Sequence, residues 1–150
     1  MPTLASVPLR RPLALVADDD GRTSHLLAQL LREDGFDVEV VCDGAGAIGR
    51  LAREPFPDVV ITDVTMPYVD GGAVARFARS QRSDVPIVFV TGYPHIADRH
   101  AARLDPHAAL FVKPLEYDTF ATELRRIVSG AADRTPRRRT TRAPARRTGV

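Results

Sequence analysis

Asp18, Asp19 and Asp20 stand in a row directly after the apolar run LALVA (residues 13–17), and Asp63 closes the run DVVITD. Thr91 follows PIVFV (86–90), and Lys113-Pro114 follows AALFV (108–112). If these runs are neighbouring strands, all of these side chains meet at one edge of a sheet, outside the strands' carboxyl ends. Three carboxylates held together without a cation repel, and at least one has its pKa raised. A hard divalent ion removes that conflict. Mg²⁺ takes oxygen ligands in near-octahedral geometry, keeps several waters and typically uses one or two carboxylates plus a phosphate. Asp18 and Asp19 on one loop and Asp63 on another supply half of such a cage and leave room for a phosphoryl donor. Lys113 can neutralise one phosphoryl oxygen and the Thr91 hydroxyl can bond another. These parts suit phosphoryl transfer, which depends on positioning and charge neutralisation. Asp20, just before Gly21 and a helical stretch, reads instead as a helix N-cap.

The elements that must position these residues follow from the hydrophobic pattern. Residues 13–17, 37–42, 58–62, 86–90 and 108–112 read as strands. The first, third and fourth are nearly continuous apolar runs, as in parallel strands covered on both faces. Helical stretches lie between them. Residues 22–34 place Leu26, Leu27, Leu30 and Leu31 on one stripe and stop at Gly35. Residues 45–53, 72–81 and 95–104 carry weaker patterns. Residues 116–129 put Phe120, Leu124, Ile127 and Val128 on one face and stop at Gly130. Five strands alternating with five helices predict an α/β, doubly wound parallel sheet with right-handed crossovers. No internal repeat is evident.

The 150 residues suit one domain with a sizeable core, and 44 % of them are hydrophobic. No apolar run approaches membrane-spanning length, and Leu13–Ala17 is too short for a signal-peptide core, so a cytoplasmic location without membrane insertion is expected. Cys42 is the only cysteine, which excludes an internal disulfide and reads as a small buried residue at a strand end. The net charge of +2 hides an asymmetry: seven arginines and no acid lie in residues 134–150, leaving 14 basic against 19 acidic groups in residues 1–133, a net of −5. Residues 1–11 are expected to form a disordered leader and residues 131–150 a disordered Arg-rich tail, with the folded domain spanning 12–130. Contact with nucleic acid is expected only through that tail. Lys113 is the only lysine beside 20 arginines, where a compact point charge differs from a guanidinium fork. His25, His95, His100 and His107 lack ligand spacing and read as surface residues.

The segments VADDDGRTSHLLAQLLREDGFDV, PDVVITDVTMPYVDGG, VPIVFVTGYP and ALFVKPL resemble the four signature blocks of response-regulator receiver domains of two-component systems, in order and spacing over roughly residues 12–130. The resemblance implies a flavodoxin-like sheet of order 2-1-3-4-5 and a chemotaxis-type, single-domain regulator. Position by position, it makes Asp63 the phosphoacceptor and Asp18 with Asp19 the Mg²⁺ holders. Thr65 then lends its backbone carbonyl to the metal, Thr91 follows the phosphoryl group on activation, and Lys113 is the charge partner. Pro67 and Gly71 match the loop after the acceptor, and Pro114 the proline whose peptide bond is usually cis. One departure is Leu110, which stands where many receivers carry an aromatic residue, with Phe111 beside it. Thr65 and Tyr93 occupy positions that tune acyl-phosphate lifetime in the family.

The resemblance further implies a sensor histidine kinase or a histidine phosphotransfer protein as donor and an unknown downstream protein as reader. The chain would be a signalling phosphoacceptor that assists only its own phosphorylation and dephosphorylation, not a metabolic enzyme. Nothing in residues 115–150 has the length of a DNA-reading output domain. An alternative is a receiver that regulates weak binding of nucleic acid or an acidic partner through its tail. A phosphohydrolase of the haloacid-dehalogenase type would place its nucleophile after the first strand and carry a cap insertion; the isolated Asp63 after the third run argues against it.

Overall fold

The computed structural model describes residues 10–95 and 105–132. In chain order the elements are β1 (Leu13–Ala17), α1 (Gly21–Glu33), β2 (Asp37–Val41), α2 (Gly44–Leu51), β3 (Val59–Asp63), α3 (Gly71–Gln81), β4 (Ile87–Thr91), β5 (Ala109–Val112) and α4 (Tyr117–Ala132). The five strands form one sheet of order β2-β1-β3-β4-β5, and every neighbouring pair is parallel. The expected flavodoxin-like order is therefore present. The helix expected over 95–104 lies, beyond His95, outside the described residues, as do the tail from residue 133 and the leader up to residue 9.

Strand periodicity divides the core into two layers, because successive side chains point to opposite faces. Ala14, Val16, Val59, Ile61, Val88, Val90 and Phe111 meet Leu27, Ala28 and Leu31 of α1 and Phe120 and Leu124 of α4. Leu15, Ala17, Val60, Ile87 and Phe89 meet Ala47 and Leu51 of α2 and Val74, Ala75 and Ala78 of α3. Every residue of β3 and β4 is buried, as their unbroken apolar runs require of inner parallel strands. At the edge, β2 buries only Val38, its other residues being exposed or half-buried.

Local chemistry sets the helix ends. Asp20 caps α1: its carboxylate accepts from the backbone N–H groups of Arg22 and Thr23, as the sequence indicated. Asp43 and Asp70 cap α2 and α3 in the same way. Gly35, with φ +102°, makes the left-handed turn that ends α1.

Four sequence expectations are corrected. The stripe of α1 runs through Ser24, Leu27, Ala28 and Leu31, which face the sheet and α4, whereas Leu26 points away from that layer and is 59 % exposed. Gly130 does not end the last helix, which continues to Ala132; a glycine lowers helix propensity without forbidding it. Cys42 is exposed because β2 stops one residue earlier, at the sheet's edge. Arg10 and Arg11, assigned to the leader, are tied to the domain. Arg10 donates to Asp58 at 2.9 and 3.0 Å, and Arg11 donates to the carbonyls of Arg32 and Phe36 at 2.8 and 3.0 Å.

Candidate functional site

The parallel register brings the sequence-predicted residues to one rim. Asp18 follows β1 directly, and its N–H donates to the Val41 carbonyl at 3.2 Å, which fixes the loop against β2. Asp63 and Thr91 are the last residues of β3 and β4 rather than the first beyond them, opposite Val90 and Val112 respectively. The Lys113 N–H donates to the Thr91 carbonyl at 2.7 Å, extending the β4–β5 ladder by one residue and setting where the lysine side chain departs. The Lys113–Pro114 peptide bond is cis.

Side chains from three strand ends then converge. Lys113 Nζ donates to Asp18 Oδ2 at 2.9 Å and to Asp63 Oδ2 at 3.0 Å. The remaining oxygens are held by backbone: Asp20 N–H donates to Asp18 Oδ1 at 2.9 Å and Thr65 N–H to Asp63 Oδ1 at 3.1 Å. Carboxylate oxygens of Asp18, Asp19 and Asp63 all lie within 4.8 Å of one another. Asp18 and Asp63 are buried and Asp19 is exposed. Thr91 is fully buried, and its Oγ1 accepts from the Tyr93 N–H at 3.0 Å. A cleft runs from Asp18, Asp63 and Lys113 onto an apolar floor that includes Leu27, Val90 and Leu115.

Burial pushes the Asp63 carboxyl above its ordinary value; the Lys113 hydrogen bond pulls it back only in part, and the charge of Asp18 adds to the rise. Burial likewise works against the Lys113 ammonium, but its hydrogen bonds to Asp18 and Asp63 outweigh that, and its pKa lies above the ordinary lysine value. Three carboxyl groups gather around one ammonium, a formal excess of acidic over basic groups. Three hard oxygen donors at the ends of β1 and β3, one of them open to solvent, match what a small divalent cation requires. The residues present fit such an ion.

The sequence did not reveal how tightly the loop after Asp63 is held. A β-carbon built on Gly71 would stand 2.2 Å from the Asp63 carbonyl oxygen, so α3 begins against the backbone of Asp63 itself. On Gly44, at the start of α2, it would stand 2.1 Å from the Val69 carbonyl oxygen. Between these contacts the Val69 N–H donates to the Pro67 carbonyl at 2.7 Å around Tyr68, whose φ is +66°. The resemblance marked Gly71 as part of the loop after the acceptor but not the backbone contact it makes, and nothing in the sequence distinguished Gly44 from an ordinary helix-start glycine. Leu110 is partly buried against the α2–α3 layer, whereas Phe111 faces the opposite layer and packs edge-on against Phe120 at 4.9 Å. His25, His95 and His107 are exposed, and His100 lies outside the described residues.

Comparison with known proteins agrees with this geometry. The model of the response regulator receiver domain matches residues 14–125. The chain is 31 % identical over 117 residues to the response regulator receiver protein CpdR of Brucella abortus, covering 78 % of this chain and 97 % of that one. It is 38 % identical over 90 residues to the transcriptional regulatory protein PrrA of Mycobacterium leprae, covering 60 % of this chain but only 38 % of PrrA's length. The crystal structure of the response regulator TrrA from Thermotoga maritima, in complex with Mg²⁺ and BeF, is similar with a TM-score of 0.68 and 26 % identity, over 77 % of this chain and 98 % of that one. No described helix is long and apolar enough to cross a membrane. With its fold, its rim of convergent carboxylates and this match over most of its length, the chain belongs to the response regulator receiver domain family.

Proposed function

We propose that this receiver domain accepts a phosphoryl group on the carboxylate of Asp63 from a phosphohistidine of a sensor histidine kinase or histidine phosphotransfer protein. The observation that carries this reading is the Lys113 ammonium bridging Asp18 and Asp63, at 2.9 and 3.0 Å, within a three-carboxylate cluster. Asp18, Asp19 and Asp63, with the backbone carbonyl of Thr65, would hold Mg²⁺. When bound, the ion supplies charge neutralisation for the incoming phosphoryl group and for the carboxylates around it. TrrA, solved with Mg²⁺ and BeF, supports that choice of metal.

The chain's own residues do the remaining work. A carboxylate oxygen of Asp63 forms the new O–P bond as the N–P bond to the donor imidazole breaks, the bonding pair returning to the imidazole nitrogen. Lys113 is already within hydrogen-bond distance of Asp63 and can follow the charge onto a phosphoryl oxygen. Thr91, buried at the end of β4, offers its hydroxyl to a second oxygen. Thr65 N–H and Asp20 N–H keep the two buried carboxylates aimed, so little reorganisation is needed at the moment of transfer. The acyl phosphate then shifts the balance between two states of the surface beside β5 and α4, which a downstream protein reads. Leu110 carries no ring at the position where many receivers have an aromatic residue, and Phe111 packs against Phe120 in the opposite layer, so that shift runs without an aromatic side chain at position 110.

Incubation with radiolabelled acetyl phosphate and Mg²⁺ tests the reading. Wild type should take up one acid- and base-labile phosphoryl group, and Asp63→Asn none while remaining folded. Labelling of Asp63→Asn at the wild-type level rules Asp63 out as acceptor.

A further inference from the structure

Three large apolar side chains are exposed among the described residues: Leu26, Tyr68 and Tyr93. Tyr68 stands apart on two counts. Its relative exposure is 105 %, so the whole ring projects into solvent. Its backbone, at φ +66°, is in the region that non-glycine residues avoid and bulky ones avoid most. A strained conformation persists only where the surroundings over-determine it, and such positions concentrate at functional surfaces.

The surroundings here do over-determine it. The loop 64–70 leaves Asp63 and returns to it: the Gly71 N–H donates to the Val64 carbonyl at 2.9 Å, and Gly71 abuts the Asp63 carbonyl. The first residue of α2, Gly44, abuts Val69. The tight turn between Pro67 and Val69 then leaves the Tyr68 side chain no direction but outward. A rigid loop with both ends on the acceptor thus displays an aromatic ring at its tip.

Resting on the phosphoacceptor reading above, we infer that Tyr68 is a preformed docking anchor for the protein that carries the phosphohistidine. A donor side chain on a protein must bring its phosphorus to Asp63, so its own surface must cover the loop that begins and ends there. A small phosphodonor reaches Asp63 without touching the loop's tip. An exposed aromatic already fixed in place loses little freedom on docking, the property that makes tyrosine effective at interface centres. The ring contributes to recognition of a protein donor and not to the chemical step.

The test compares two donors on four chains. Wild type, Tyr68→Phe, Tyr68→Gly and Tyr68→Asn are each treated with acetyl phosphate and Mg²⁺, and separately with a phosphorylated histidine phosphotransfer protein that labels the wild type. Glycine and asparagine both tolerate the backbone conformation, so one ring-free variant serves if the other misfolds by circular dichroism. All four chains should be labelled by acetyl phosphate within about twofold of each other. With the protein donor below saturation, the ring-free variants should be slower by about tenfold, through a raised apparent KM, as expected for loss of one anchor, and Tyr68→Phe should match wild type. Wild-type transfer to the ring-free variants from the protein donor overturns the proposal, and so does an equal loss with both donors. Failure of acetyl phosphate to label even the wild type at Asp63 would instead remove the phosphoacceptor reading on which it rests.

Discussion

Gly71 and Asp63 are in direct backbone contact: a β-carbon at position 71 would stand 2.2 Å from the Asp63 carbonyl oxygen and 2.9 Å from the Val64 Cα. Neither neighbour is a flexible side chain that could swing aside, so any larger residue must displace the backbone that carries the acceptor. Gly71→Ala should lower the unfolding free energy by about 1–3 kcal/mol, the usual cost of overpacking, and weaken Mg²⁺ binding as well. Gly49→Ala in α2 is the control. Its site is exposed with nothing within 4 Å, and the substitution should stabilise by about 0.5–1 kcal/mol. Equal denaturation midpoints for Gly71→Ala and wild type would contradict the contact.

The raised pKa of Asp63 has a thermodynamic counterpart. A carboxyl whose folded pKa exceeds its unfolded one binds more protons in the folded state, so its contribution to stability falls as pH rises through that interval and stays low above it. In chelator, Asp63→Asn should therefore unfold at a higher temperature than wild type at pH 7. The difference should close as pH drops through the ordinary carboxyl value of 3.8. A wild type more stable than Asp63→Asn at neutral pH, without metal, would show that Lys113 outweighs burial at this site.

Asp19 is exposed and forms no hydrogen bond or ion pair with any described residue, unlike Asp18, both of whose oxygens are engaged. Asp19→Ala should leave the metal-free protein near wild-type stability. Mg²⁺ at one hundred times its Kd should stabilise wild type by about 2.7 kcal/mol, and Asp19→Ala should lose most of that gain at the same concentration. Melting curves across a Mg²⁺ titration measure both. Superimposable titrations for the two chains would exclude Asp19 as a ligand.

At Tyr68 the expected sign is unusual. Replacing a residue by glycine ordinarily destabilises, by roughly 0.5–1 kcal/mol through unfolded-state entropy. At φ +66° the glycine also relieves a strain of about 1–3 kcal/mol. Tyr68→Gly should therefore be at least as stable as wild type in chemical denaturation. A clear loss of stability would mean that the tyrosine backbone is not strained.

Much of the fold was legible because burial on both faces leaves a simple imprint. LALVA, DVVIT and PIVFV are nearly continuous apolar runs because parallel inner strands have no solvent side, and the carboxylates, threonine and lysine stand directly at the ends of such runs. The order of these residues along the chain is enough to group Asp18, Asp19, Asp63, Thr91 and Lys113 at one sheet edge. The capping role of Asp20 could be read as well, because a cap is a local hydrogen bond.

What escaped the sequence depends on neighbours distant along the chain. Leu26 belongs to the same apolar stripe as Leu27 on paper, yet which leucines meet the sheet is set by how α1 lies across it. Gly130 has every local mark of a stop, but α4 runs on past it. Gly44 is ordinary in sequence, and Gly71 was marked only by resemblance; the approach of two backbones within the van der Waals distance of a β-carbon is what makes glycine necessary at both. Residue types and their order indicated which chemistry to expect at this rim, since strand periodicity and capping are local properties. The pairing of Lys113 with both Asp18 and Asp63, and the outward pose of Tyr68, were decided by tertiary packing, since each is a distance between groups the chain alone does not connect.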